Sequence, residues 1–118
     1  MRLLGPALLL TVSLLMGACG SDDVGPSGHV VGARCTADKD CAKRCLTGGE
    51  FPDGYCSQTC TTARDCPGGA ACIGVEGAGV CMVTCHVAND CNGFGPGYLC
   101  SRGARQEGGE GVLVCIGG

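Results

Sequence analysis

CTADKDC (35–41), CTTARDC (60–66) and CHVANDC (85–91) repeat one pattern three times along the chain, at intervals of 25 residues. In each, two cysteines flank five residues, and an aspartate stands immediately before the second cysteine. Each pattern is followed by two further cysteines. This gives the blocks Cys35/Cys41/Cys45/Cys56, Cys60/Cys66/Cys72/Cys81 and Cys85/Cys91/Cys100/Cys115, with three residues separating one block from the next. A fixed internal period is the mark of a repeat architecture. The expected fold class is therefore small and disulfide-rich. Three tandem four-cysteine modules of short β-hairpins and loops are expected over 35–56, 60–81 and 85–115, with little helix in the mature chain.

Composition points the same way. Of 118 residues, 13 are cysteine and 23 glycine, and tryptophan is absent. Cysteine at more than about a tenth of a short chain marks a disulfide scaffold of an oxidising compartment. From Cys35 onward only sixteen large apolar side chains are available to 84 residues. So few cannot offset the conformational entropy of ordering that length, and cross-links are expected to hold the fold in place of a large apolar interior. A net charge of −3 with interspersed signs implies neither nucleic acid nor an anionic membrane surface as partner.

The N-terminus reads as an export signal over residues 1–18. Met1-Arg2 forms a short basic start, and LLGPALLLTVSLLM (3–16) is apolar but shorter than the roughly 20 residues a bilayer span needs. Leu15-Met16-Gly17-Ala18-Cys19 resembles the lipobox of bacterial lipoproteins, departing from it at Met16. That resemblance implies lipidation of Cys19 and attachment to the membrane through the N-terminal lipid. The alternative is an ordinary signal peptide cut after Gly20; either route leaves twelve cysteines for pairing. Residues 19–34, with GSDDVGPSGHVVG at 20–32, have a linker composition and are expected to form a flexible tether reaching roughly 20 Å. Gly20 stands where enterobacterial sorting uses aspartate for inner-membrane retention, so outer-membrane residence is the expectation. His29 is read as a solvated linker residue.

Within each block the aspartates at 40, 65 and 90, together with Asp38, are expected to accept hydrogen bonds from nearby backbone N–H groups. Short helical turns fit 36–40 and 61–65, with threonine as N-cap. Hairpin signals follow: an apolar–turn–apolar run over Phe51–Tyr55, a glycine turn within 73–80, and strands at 98–100 and 112–115 joined by a polar loop. Each block admits three internal pairings. The reading leans to first-with-third and second-with-fourth, with the other patterns open.

Cys35-Thr-Ala-Asp-Lys-Asp-Cys41 followed by a third cysteine resembles the N-terminal cysteine-rich module of Dickkopf-type secreted proteins. It is also similar to cysteine-rich repeats of myxobacterial lipoproteins, over about residues 35–100. The second and third blocks carry Ala63 and Ala88 where the first has Asp38. What the resemblance implies is architecture alone, because the receptor signalling in which the animal family acts has no counterpart for a bacterial lipoprotein. None of the family's binding residues maps onto this chain.

The sharper chemistries find little here. Zinc sites use closely spaced Cys/His pairs, whereas these spacings are longer and the compartment favours bridges, so no metal or cofactor is expected. Asp38, Asp40 and Asp53 are the calcium candidates, outweighed by the turn role of such residues. The histidines are His29 and His86; a nucleophile at Cys85 beside His86 would need a free thiol, and C-x-x-C is absent, so no enzyme is expected. The glycines at 93, 95 and 97 lack the βαβ context of a phosphate loop. The expected function is a cell-envelope lipoprotein whose repeat scaffold is structural, or binds an extracellular protein or glycan on an extended face. The alternative is a secreted protease inhibitor presenting a disulfide-framed loop, at 48–54, 74–79 or 101–111, the last carrying Arg102 and Arg105.

Overall fold

The computed structural model describes residues 23–118. The export signal and the Cys19 junction lie outside the described residues. Three antiparallel hairpins follow in order: β1 (Arg44–Leu46) with β2 (Tyr55–Ser57), β3 (Ala70–Val75) with β4 (Ala78–Val83), and β5 (Tyr98–Gly103) with β6 (Val112–Gly117). A short 3-10 turn precedes each one, at Asp38–Asp40, Ala63–Asp65 and Ala88–Phe94. Among the described residues no helix is long and apolar enough to cross a membrane.

The register explains the cross-linking. Cys45 lies directly across from Cys56, Cys72 from Cys81, and Cys100 from Cys115. Opposed residues of an antiparallel pair project from the same face of the sheet. The third and fourth cysteines of each block thus point together toward the turn that carries the first and second. Six disulfides result: Cys35–Cys45 and Cys41–Cys56, Cys60–Cys72 and Cys66–Cys81, Cys85–Cys100 and Cys91–Cys115. Every block pairs first with third and second with fourth. Each module is a turn tied across its own hairpin by two bridges.

The aspartate before the second cysteine shapes the turn. Asp40 Oδ2 accepts from the backbone N–H groups of Thr36 and Ala37 and from the Thr36 hydroxyl, at 3.0–3.1 Å. Asp65 does the same for Thr61 and Thr62, and Asp90 takes the backbone N–H groups of His86 and Val87. The threonines expected to cap the turns are therefore donors, and the aspartate is the acceptor. A carboxylate has more acceptor sites than a hydroxyl and takes several donors at once. Asp38 adds a bond to Cys45 N–H at 2.8 Å.

The modules are fused, which departs from an extended array. The residues just before each module's first cysteine run beside the second strand of that module's own hairpin. Cys56 N–H donates to Ala33 C=O and Cys81 N–H to Gln58 C=O, while Thr84 bridges Val114. What the sequence offers as spacers after β2 and at the end of β4 are thus the lead-in strands of the next module. Residues 104–106 cover the open edge of β3, through Gly74 N–H to Ala104 C=O and Gln106 N–H to Cys72 C=O. Module three also closes back on module one, where Gly117 N–H donates to Glu50 C=O at 2.9 Å.

All four aromatic residues of the chain meet at this closure. Phe51, Tyr55, Phe94 and Tyr98 pack with ring centroids 5.7–6.0 Å apart. Tyr55 is fully buried, and its hydroxyl accepts from Val83 N–H of module two at 2.9 Å. The interior is small but continuous across all three modules, and six of its members are cysteines. Beside the six bridges, ten buried side chains other than cysteine pack into this interior.

Two further expectations change. Phe51 does not open a hairpin; residues 47–54 form a loop between β1 and β2, and Phe51 turns inward to the aromatic cluster. Residues 23–33 depart from the free tether expected there. Val31 is fully buried, Val24 and Val31 form a bridge, and Ala42 N–H donates to His29 C=O. Gly32 permits this, because a Cβ there would collide with Gly25 C=O and reach 3.0 Å from the Phe94 ring. The same glycine-rich composition serves a linker or a tight turn, and two valines with an apolar surface to cover decide for the turn.

Candidate functional site

An open groove of about 740 Å³ runs between the lead-in strand of module one and the loop at 47–54. Period-two alternation places its cation. Ala33 and Cys35 face inward, at 8 % and 6 % exposure, so Arg34 between them is exposed, and it lines the groove. Thr36 and Asp40 of the first turn form one side, and Thr47 and Asp53 of the loop form the other. Phe51 lies beneath and joins this wall to the aromatic cluster.

The loop wall depends on left-handed backbone at two consecutive residues, Asp53 (φ 63) and Gly54 (φ 82). Aspartate tolerates that region better than most side chains. Gly54 has no substitute, because a Cβ there would overlap Cys35 C=O. The lead-in strand and the loop can approach only because residue 54 is glycine.

Electrostatically, the groove holds charges of both signs. The backbone N–H of Thr36, followed by the other turn donors, holds the Asp40 carboxyl below its ordinary value. The Tyr98 hydroxyl donates to Pro52 C=O at 3.0 Å. Burial first, then the Asp53 carboxylate, pushes Tyr98 up to about 12, with Arg34 acting in the opposite direction. Arg34 and Asp53 thus both lie within electrostatic reach of one fixed hydroxyl. Among the described residues neither side chain makes a hydrogen bond, whereas Asp40 is committed to its turn.

The other residues singled out in the sequence fall elsewhere. Three sulfurs in each block lie within 4.8 Å of one another, but they belong to neighbouring disulfides, which lack the thiolate charge a metal takes. Of the calcium candidates, Asp38 bonds Cys45 N–H, while Asp40 and Asp53 line the groove. Cys85 is bonded to Cys100, so no thiol stands beside His86. The loop at 74–79 is a tight two-residue turn at Glu76-Gly77, with both φ positive. In the 101–111 loop, Arg105 Nε donates to Glu110 C=O, its backbone pairs with Ile73, and Glu107 accepts from Ala63 N–H. Arg102 is exposed, with Nη1 donating to Gly111 C=O.

Sequence reasoning reached one wall of the groove, the loop at 48–54, but not Arg34. Its signal was the apolar–Arg–Cys alternation immediately before the first cysteine, inside a segment whose composition reads as linker. No family model, curated protein or solved structure matches the chain.

Proposed function

We propose that the protein is a cell-envelope lipoprotein, anchored through Cys19 in the outer membrane, whose three-module scaffold serves as a structural or extracellular binding module. The observation that carries this reading is the pair of disulfides in each of the three modules. Bridges of this density persist in oxidising compartments. The export signal and the lipobox-like Leu15–Cys19 supply the route and the anchor. The likeness of residues 35–41 to Dickkopf-type and myxobacterial repeats supports the repeat architecture of the scaffold. A shallow groove with mixed charge suits recognition of another molecule at the surface. Inhibition through Arg105 draws less support, because that residue is tied down by both backbone and side chain.

Fractionation combined with intact-mass spectrometry tests the proposal. The expected result is a mature chain beginning at Cys19 with an acyl mass, in the membrane fraction, that Cys19→Ala moves to the soluble fraction. A soluble chain with an unmodified N-terminus would overturn it. Incubation with serine proteases, with and without Arg102→Ala, is expected to show no inhibition.

A further inference from the structure

The groove beside the 47–54 loop is lined by two charged residues, Arg34 and Asp53, and among the described residues neither side chain makes a hydrogen bond. Each is held in place by backbone. Arg34 is fixed by the pairing of Gly32 and Ala33 with Cys56, and its guanidinium lies over Gly95, where any Cβ would strike it. Asp53 sits on left-handed backbone beside Gly54. The loop next to Asp53 is tied down by the Tyr98 hydroxyl, which donates to Pro52 C=O. A cation and an anion are thus presented on a rigid, disulfide-tied frame, and preorganisation of this kind lowers the cost of binding.

The lining narrows the ligand. Arg34 is the groove's one cation, which is too little for a polyanion. Phe51 is its one ring and is only 6 % exposed, so no aromatic face is open for a sugar to stack on. A guanidinium takes a carboxylate bidentately, and a free carboxylate takes an ammonium. About 740 Å³ is within the usual range for a small-ligand site and holds a few residues of peptide.

We propose that this groove binds short peptides with free termini, the peptide carboxylate on Arg34 and its ammonium on Asp53. This rests on the reading of the protein as an envelope binding module and names the ligand class. Thr47 offers a hydroxyl to the peptide backbone between the two ends, and Thr36, whose proton is given to Asp40, offers its oxygen as an acceptor.

Titration of the intact oxidised protein with alanine peptides of two to five residues tests it, read by calorimetry and by amide chemical shifts. The series samples end-to-end spans of roughly 7 to 17 Å. At least one member is expected to bind with a Kd below about 1 mM and to shift amides of residues 34–36 and 47–54. N-acetylation or C-amidation of that peptide is expected to weaken binding by at least about tenfold. Arg34→Ala should remove the penalty for amidation and Asp53→Asn the penalty for acetylation, each with the native spectrum kept. Binding by no member, binding indifferent to both caps, or shifts confined to other residues would overturn the proposal. Should the peptides fail while the chain remains acylated and in the membrane fraction, the ligand assignment falls and the envelope reading stands. Should fractionation fail while the peptides bind, the reverse holds.

Discussion

Asp40, Asp65 and Asp90 do the same work in three places, each gathering the N–H groups that open its turn. Those bonds favour the charged form and lower each carboxyl from its ordinary value of 3.8. A folded pKa below the unfolded one stabilises the fold above the unfolded value, and that contribution is lost as pH falls through the folded value. Denaturant midpoints are therefore expected to be flat at neutral pH and to drop below about pH 4. The triple Asp→Asn variant should start lower and lose that acid dependence; an unchanged acid slope would refute the role given to these side chains. Tyr55 offers a second residue-level check. Tyr55→Phe strips the acceptor from Val83 N–H in a buried setting and is expected to cost about 1–3 kcal/mol, measured by chemical denaturation. The aspartates were legible from their fixed place before each second cysteine. The burial of Tyr55 was not, because its partners Phe94 and Tyr98 lie about forty residues away with no period linking them.

The elements follow from the cysteine comb more fully. Opposed third and fourth cysteines force a hairpin whose face carries two sulfurs, and the first and second cysteines must then lie over that face. Spacing alone permitted this pairing without excluding the others; in the fold Cys35, Cys60 and Cys85 reach the third cysteine of their block and Cys41, Cys66 and Cys91 the fourth. Replacing Cys66 and Cys81 together by alanine opens a 15-residue loop and is expected to cost about 2–4 kcal/mol, seen as a lowered midpoint with the other bridges intact. The turn joining β3 and β4 can be improved. Glu76 holds φ 51 ahead of Gly77, where asparagine is the favoured residue, so Glu76→Asn should stabilise by about 0.5–1 kcal/mol. Lead-in strands were the elements hidden from sequence reading. Ala33, Gln58 and Val83, two places before each first cysteine, share no residue type, and the threonine that follows in modules two and three is arginine in module one.

At the scale of the whole molecule one interior reaches all three modules, while Ala33, Cys35 and Cys56 form a smaller cluster of their own in module one. Module two lies against Tyr55 on one side and the 104–106 segment on the other, so its fold depends on its neighbours. The oxidised peptide 57–84 is expected to form both bridges yet give a poorly dispersed amide spectrum; a native-like spectrum would show that the modules fold independently. The shared interior is small, and cysteines make up six of its sixteen buried members. Sulfur bridges and packing therefore stand or fall together. The most direct measurement is the amide correlation spectrum of residues 23–118 before and after complete reduction with a phosphine at neutral pH. The expected outcome is a collapse of dispersion in all three modules at once, including Tyr55 and Val114, which are not themselves cross-linked. A reduced protein that kept its dispersed spectrum would contradict the claim that the disulfides hold this fold.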